Sequence, residues 1–128
     1  RLDGTGASVV TLVAELQALI DGSQMALATR HEQELSAVDE QEESFGARGA
    51  GRRDLLERQR REVRRLRDDE LRFGLATLTR RYRDSATNGA GESCLDATSR
   101  ITAATSELVR NPNERLLLQA LFLDLPGL

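Results

Sequence analysis

Gly51-Arg52-Arg53-Asp54-Leu55-Leu56-Glu57-Arg58-Gln59-Arg60-Arg61-Glu62-Val63-Arg64-Arg65-Leu66-Arg67-Asp68-Asp69-Glu70-Leu71 is the stretch that decides the fold class. Leu56, Gln59, Val63 and Leu66 recur at spacings of three and four, a narrow seam on a charged surface. A slip of one position carries the seam on through Leu71, Leu75, Leu78 and Tyr82. A strand would alternate; this spacing is helical. It predicts one helix from about Arg52 to Ser85, about 50 Å long at ~1.5 Å per residue. Acids four residues ahead of bases, Asp54 with Arg58, Glu57 with Arg61 and Asp68 with Arg72, support the helix. Gly74 is its weak point, costing about 1 kcal/mol relative to Ala.

Upstream, Val9, Val10, Leu12, Val13, Leu16, Leu19 and Ile20 mark an amphipathic helix over Ser8 to Asp21. Gly22-Ser23 interrupts it, and Met25, Leu27, Ala28, Leu35, Val38 and Phe45 continue as a thinner apolar stripe. This half reads as two helices or one kinked helix. Downstream, Asn88-Gly89-Ala90-Gly91 is a loop by composition, and Ser93 with Asp96 three residues on predicts a capped helix running to about Arg110. Leu95, Ile101, Ala104 and Leu108 form its apolar face. Asn111 as a cap and Pro112 in the first turn predict a last helix through about Asp124, ended by Pro126-Gly127. The expectation is an all-α bundle of about five helices with one long central helix, residues 1–128 forming a single helical domain.

Composition narrows the alternatives. At 128 residues the chain has room for one domain of ordinary size. Aromatics make up 3% and Trp is absent, which argues against a sandwich or barrel. The longest uncharged apolar stretch, Leu116 to Leu123, is far short of the ~20 residues that span a bilayer. All 18 basic residues are arginine, the mark of a high-GC genome rather than a functional choice. The start at Arg1, without Met or leader, reads as a piece of a longer protein lacking a secretion signal. The single cysteine, Cys94, has no internal disulfide partner, so a reducing, cytoplasmic setting is expected.

No catalytic, cofactor-binding or metal-binding residue is expected. Cys94 and the single histidine, His31, cannot supply four ligands to a structural zinc, and Cys94 has no base to activate it. His31 is expected as an exposed helix residue. Gly4-Thr5-Gly6 and the Gly46 to Gly51 cluster lack the following Gly-Lys-Ser/Thr of a phosphate loop. Asp68 and Asp69 diverge by ~100° around a helix, as surface carboxylates would. No enzyme and no small-molecule substrate follow.

The sharpest surface feature is a reversal of charge. His31 to Phe45 holds six acids and no base; Arg48 to Asp84 holds thirteen arginines against seven acids, a net +6. Glycines 46, 49 and 51 lie between the two. The arginine face, Arg52, Arg53, Arg58, Arg60, Arg61, Arg64, Arg65 and Arg67, has three readings: charge matching with the acidic stretch across a short loop, plain solvation, or contact with a phosphate backbone. The first is favoured. No aromatic side chains interleave the arginines, which speaks against single-strand binding.

Gly51-Arg52-Arg53, the run from Leu55 to Leu71, Leu75 to Leu78 and Tyr82-Arg83-Asp84 together resemble the C-terminal region of the delta prime subunits of bacterial DNA polymerase III clamp loaders, of the high-GC type. In that family a glycine-rich loop precedes a Gln- and Arg-rich helix ending in Tyr-Arg-Asp. Val109-Arg110-Asn111-Pro112-Asn113, leading into Leu116 to Leu125, is similar to the family's final helix. The resemblance covers about two thirds of the chain and implies a noncatalytic collar domain that joins clamp-loader subunits in a ring. DNA would then be met only indirectly, through the complex, with no membrane and no cofactor. The family continues apolar after Tyr-Arg-Asp, whereas Ser85-Ala86-Thr87-Asn88-Gly89 stands here, so an early stop of the long helix is expected.

The last helix has apolar residues on more than one face. Leu117, Leu121 and Leu125 are expected to serve the core, and Leu118 and Phe122 to lie at or near a subunit interface; a fully enclosed helix is the alternative.

Overall fold

Helical periodicity runs through nearly the whole chain in the computed structural model, which describes residues 6–46 and 49–127. Among the described residues there are five α-helices and no strand: α1 (Gly6–Ser23), α2 (Met25–Phe45), α3 (Ala50–Ser85), α4 (Gly91–Glu107) and α5 (Glu114–Asp124). The chain is an all-α bundle with α3, at 36 residues, as its long central helix. Gly4, Thr5 and Arg48 lie outside the described residues.

The connections follow local chemistry. α1 and α2 are parted by Gln24 alone, whose N–H is shared between the Ile20 and Asp21 carbonyls, each at 3.2 Å. The break falls one residue after Gly22-Ser23, and both of those residues remain helical. Gly46 ends α2 in the left-handed conformation at φ 67°, which a residue without Cβ adopts at no steric cost. α3 stops at Ser85, and the wide turn Ala86–Ala90 leaves helical geometry at Gly89, φ 102°. α4 begins at Gly91, ahead of the expected Ser93.

One cap differs from expectation. Asn111 is left-handed at φ 52° and closes the short 3-10 turn Leu108–Arg110 that follows α4. Asn113 opens α5, its side-chain oxygen accepting from the Leu116 N–H at 3.1 Å. Both asparagines are therefore caps, one for an end and one for a start, and Pro112 lies between them rather than in the first turn of α5. The αL tolerance of asparagine and its N-cap preference explain the division.

Internal packing groups the chain into two compact units. The first comprises Arg1–Leu19 with Glu70–Leu128; the second is Ile20–Asp69. In the first, Val9 and Val13 of α1, Leu71, Leu75 and Tyr82 of α3, Ile101 and Ala104 of α4, and Leu118, Leu121 and Phe122 of α5 are buried together with Cys94, Ala97, Leu108 and Leu125. In the second, α2 and the first part of α3 lie antiparallel, with Ile20, His31, Leu55 and Gln59 buried. Phe45, expected to extend the apolar stripe of α2, is 79% exposed. It sits in the last turn before Gly46, where the chain turns away.

Candidate functional site

In the second unit the acidic and basic stretches meet as a polar ladder. From one end to the other, Arg52 pairs with Asp39 (2.7 Å), Arg58 with Glu34 (2.6 Å), Arg30 with Glu62, and Arg67 with Asp21 (2.6 Å). Asp39, Glu34 and Arg30 of α2, and then Asp21 at the end of α1, descend in number as their partners on α3 ascend, as the antiparallel arrangement requires. Glu42 Oε1 also accepts from the Arg52 backbone N–H at 3.3 Å, satisfying a donor in the first turn of α3, where a carboxylate is favoured. Arg58 turns away from Asp54, its expected partner, toward Glu34 and Glu62. Glu34 is reached across the helix pair, whereas Glu62 lies one turn further along α3. These pairs are largely solvated and contribute between ~0 and ~1 kcal/mol each.

The centre of the ladder is polar as well. Gln59 Nε2 donates to the His31 carbonyl at 3.0 Å, both residues being buried. His31, expected at the surface, is thus an interior residue. Its Nε2 faces Glu62 Oε2 at 3.5 Å without forming a hydrogen bond. The seam on α3 brings His31 inside because Leu56, Gln59 and Val63 offer it a shallow apolar and amide floor.

The arginine face divides in two. Arg52, Arg58 and Arg67 belong to the ladder. Among the described residues, Arg53, Arg60, Arg61, Arg64 and Arg65 are exposed and make no ion pair. At 3.6 residues per turn these five span an arc of about 140°, centred almost opposite Gln59. The same arc carries the carboxylates Asp54 and Glu57 and no apolar residue between Arg53 and Arg65. Arg60 with Arg64 and Arg61 with Arg65 are like charges four apart, a spacing that costs an isolated helix a few tenths of a kcal/mol per pair.

In the first unit the expected interface assignment is reversed. Leu118 is fully buried and Phe122 is 6% exposed, so both belong to the core of the unit. The buried stripe of α5 is Leu118, Leu121, Phe122 and Leu125, spaced three, four and seven, whereas Leu117 is only half-buried. That spacing keeps four side chains within about 100° of arc, the width of a core-facing stripe. The alternative of complete enclosure also fails, because Leu116 (61%) and Leu123 (52%) are exposed on the far side of α5.

Among the described residues, an apolar groove and a polar cleft lie in this unit. An apolar groove of about 210 Å³ is lined by Leu12, Leu16, Leu71, Leu75 and Phe122, with Gly74 in its wall. A Cβ at Gly74 would meet nothing within 4 Å. An open polar cleft of about 500 Å³ lies along Arg72, Arg80 and Arg83 of α3 and Thr102, Thr105 and Ser106 of α4. The hydroxyls of Thr102, Thr105 and Ser106 donate to carbonyls of their own helix, at Thr98, Ile101 and Thr102.

Cys94 and Tyr82 pack inside the first unit. The Tyr82 hydroxyl donates to the Pro126 carbonyl at 2.6 Å, tying the segment after α5 to α3. Burial, and then the neighbouring Cys94 thiol, raises the Tyr82 phenol above its ordinary value. Among the described residues no group of three or more His, Cys, Asp or Glu could hold a metal, and no helix is long and apolar enough to cross a membrane. The exposed features among the described residues are a basic stripe on α3, an apolar groove, and an outward leucine pair on α5. Sequence reasoning missed the leucine pair; the seven-residue separation of Leu116 and Leu123 was its only signal. No family model, curated protein or solved structure matches the chain.

Proposed function

We propose that the chain is a noncatalytic helical assembly module, of the collar type that joins clamp-loader subunits of a bacterial DNA polymerase III in a ring during sliding-clamp loading in replication. The observation that carries this reading is apolar surface remaining on a unit whose core is already complete. Leu116 and Leu123 face outward on α5, and Val109, just ahead of it, is 79% exposed. A ring-forming domain would cover such side chains with a neighbouring subunit in the cytoplasm. The order of the glycine loop, the Arg-rich helix, Tyr82-Arg83-Asp84 and the Leu-rich last helix supports the family chosen.

The test is reconstitution with the other clamp-loader subunits of a high-GC bacterium, read by size-exclusion chromatography with light scattering. The chain should co-elute with them, and Leu116→Asp combined with Leu123→Asp should abolish co-elution while the circular dichroism spectrum is retained. Co-elution unaffected by the double variant, or no complex with the wild-type chain, would overturn the reading.

A further inference from the structure

We infer that Arg53, Arg60, Arg61, Arg64 and Arg65 form a contact surface for the phosphate backbone of duplex nucleic acid. This surface lies wholly within the second unit and does not rest on the assembly role above, which uses side chains of the first.

Internal charge matching explains the arginines of the ladder and leaves these five unexplained. Asp39, Glu34 and Asp21 already engage Arg52, Arg58 and Arg67. The five remaining guanidiniums crowd one arc, two pairs of them four residues apart, where each raises the cost of the next. An external polyanion relieves that repulsion. The stripe runs about 18 Å along α3, because Arg53 to Arg65 covers twelve helical steps of ~1.5 Å. Two columns of guanidinium forks, Arg60 with Arg64 and Arg61 with Arg65, present bidentate donors at intervals of about 6 Å.

The chemistry of the arc selects among polyanions. Its other occupants between Arg53 and Arg65 are Asp54 and Glu57, with no aromatic side chain on which an unpaired base could stack. It has no apolar residue to enter a lipid surface. What remains is recognition of regularly spaced phosphates with no reading of sequence, which is how a backbone-only contact behaves.

The test uses the chain and a fluorescein-labelled 30-base-pair duplex, followed by anisotropy over a range of sodium chloride. Engagement of four to five phosphates should give a slope of log K against log salt of about −4, a loss of roughly 150- to 500-fold between 50 and 200 mM. Changing Arg60, Arg61, Arg64 and Arg65 together to Ala should flatten the slope to about −1 or less, with the helical circular dichroism unchanged. Arg52→Ala with Arg58→Ala should leave the slope in place. Absence of binding at 25 mM salt, or a quadruple variant that binds like the wild type, would overturn the proposal. So would polyglutamate binding as tightly as the duplex and lost in the same variant, since that outcome assigns the stripe to an acidic protein.

Discussion

The two units of this chain are held by different physics. The first buries fourteen apolar side chains among the described residues, drawn from four helices; the second buries Ile20 and Leu55 together with the polar His31 and Gln59. Fully burying a large aliphatic or aromatic side chain is worth about 1.5–3 kcal/mol, so the first unit rests on non-directional burial. The second depends on a ladder of exposed ion pairs, each modest and screened by salt. A four-helix arrangement can surround a core, whereas two helices can only cover one another along a seam. The difference shows how one long helix serves both: α3 contributes Leu71, Leu75 and Tyr82 to a core, and Arg52, Arg58 and Gln59 to a ladder.

The strongest way to break this contrast is Phe122→Asp. A carboxylate placed among Leu118, Leu121 and Leu75 has no partner there, and the loss should exceed about 3 kcal/mol. The first unit should unfold in a urea titration monitored by circular dichroism. A variant that stays folded and loses only association with other subunits would return Phe122 to an interface.

An intermediate effect is expected from Tyr82→Phe, which strands the Pro126 carbonyl and should cost about 1–2 kcal/mol in chemical denaturation. The same residue predicts a pH dependence. Burial raises the folded-state phenol, so the stability it supports is complete below its unfolded value of about 10 and declines as pH rises through the higher folded value. Tyr82→Phe should remove this component of the alkaline decline, as thermal melts of both proteins between pH 8 and 11 would report.

The smallest effect sharpens the comparison from the other side. Glu34→Ala removes one of the two carboxylates that Arg58 engages, and the cost should stay below about 1 kcal/mol because the pair is partly solvated. Amides of α2 should exchange faster in the variant, and the wild type should approach the variant's rate in 0.5 M salt. Amides of α4 should be indifferent to both changes. Equal salt sensitivity of α2 and α4 in hydrogen exchange would remove the distinction between the units.

Much of the fold was legible in the sequence. The three- and four-residue spacing from Leu56 to Tyr82 specifies a long helix, and α3 extends two residues further at its start than the pattern required. Glycine and asparagine marked the connections because few other residues adopt positive φ, as Gly46, Gly89 and Asn111 all do. The reversal of charge across the glycine loop anticipated the pairing of α2 with α3, since a short connection makes successive helices neighbours. These are local properties, carried by hydrogen-bonding pattern, backbone sterics and chain length.

What the tertiary structure alone decided is direction. On α5, both Leu117-Leu121-Leu125 and Leu118-Leu121-Phe122-Leu125 satisfy helical spacing, and only packing within the first unit selects the second. His31 reads as a surface histidine until Gln59 of α3 caps its carbonyl. Likewise, arginines that look alike in sequence divide into ladder and stripe according to which of them meet Asp21, Glu34 and Asp39. Helical period determines which side chains share a face, but the azimuth at which a neighbouring helix approaches is a property of the whole packing. Burial and charge pairing follow that azimuth.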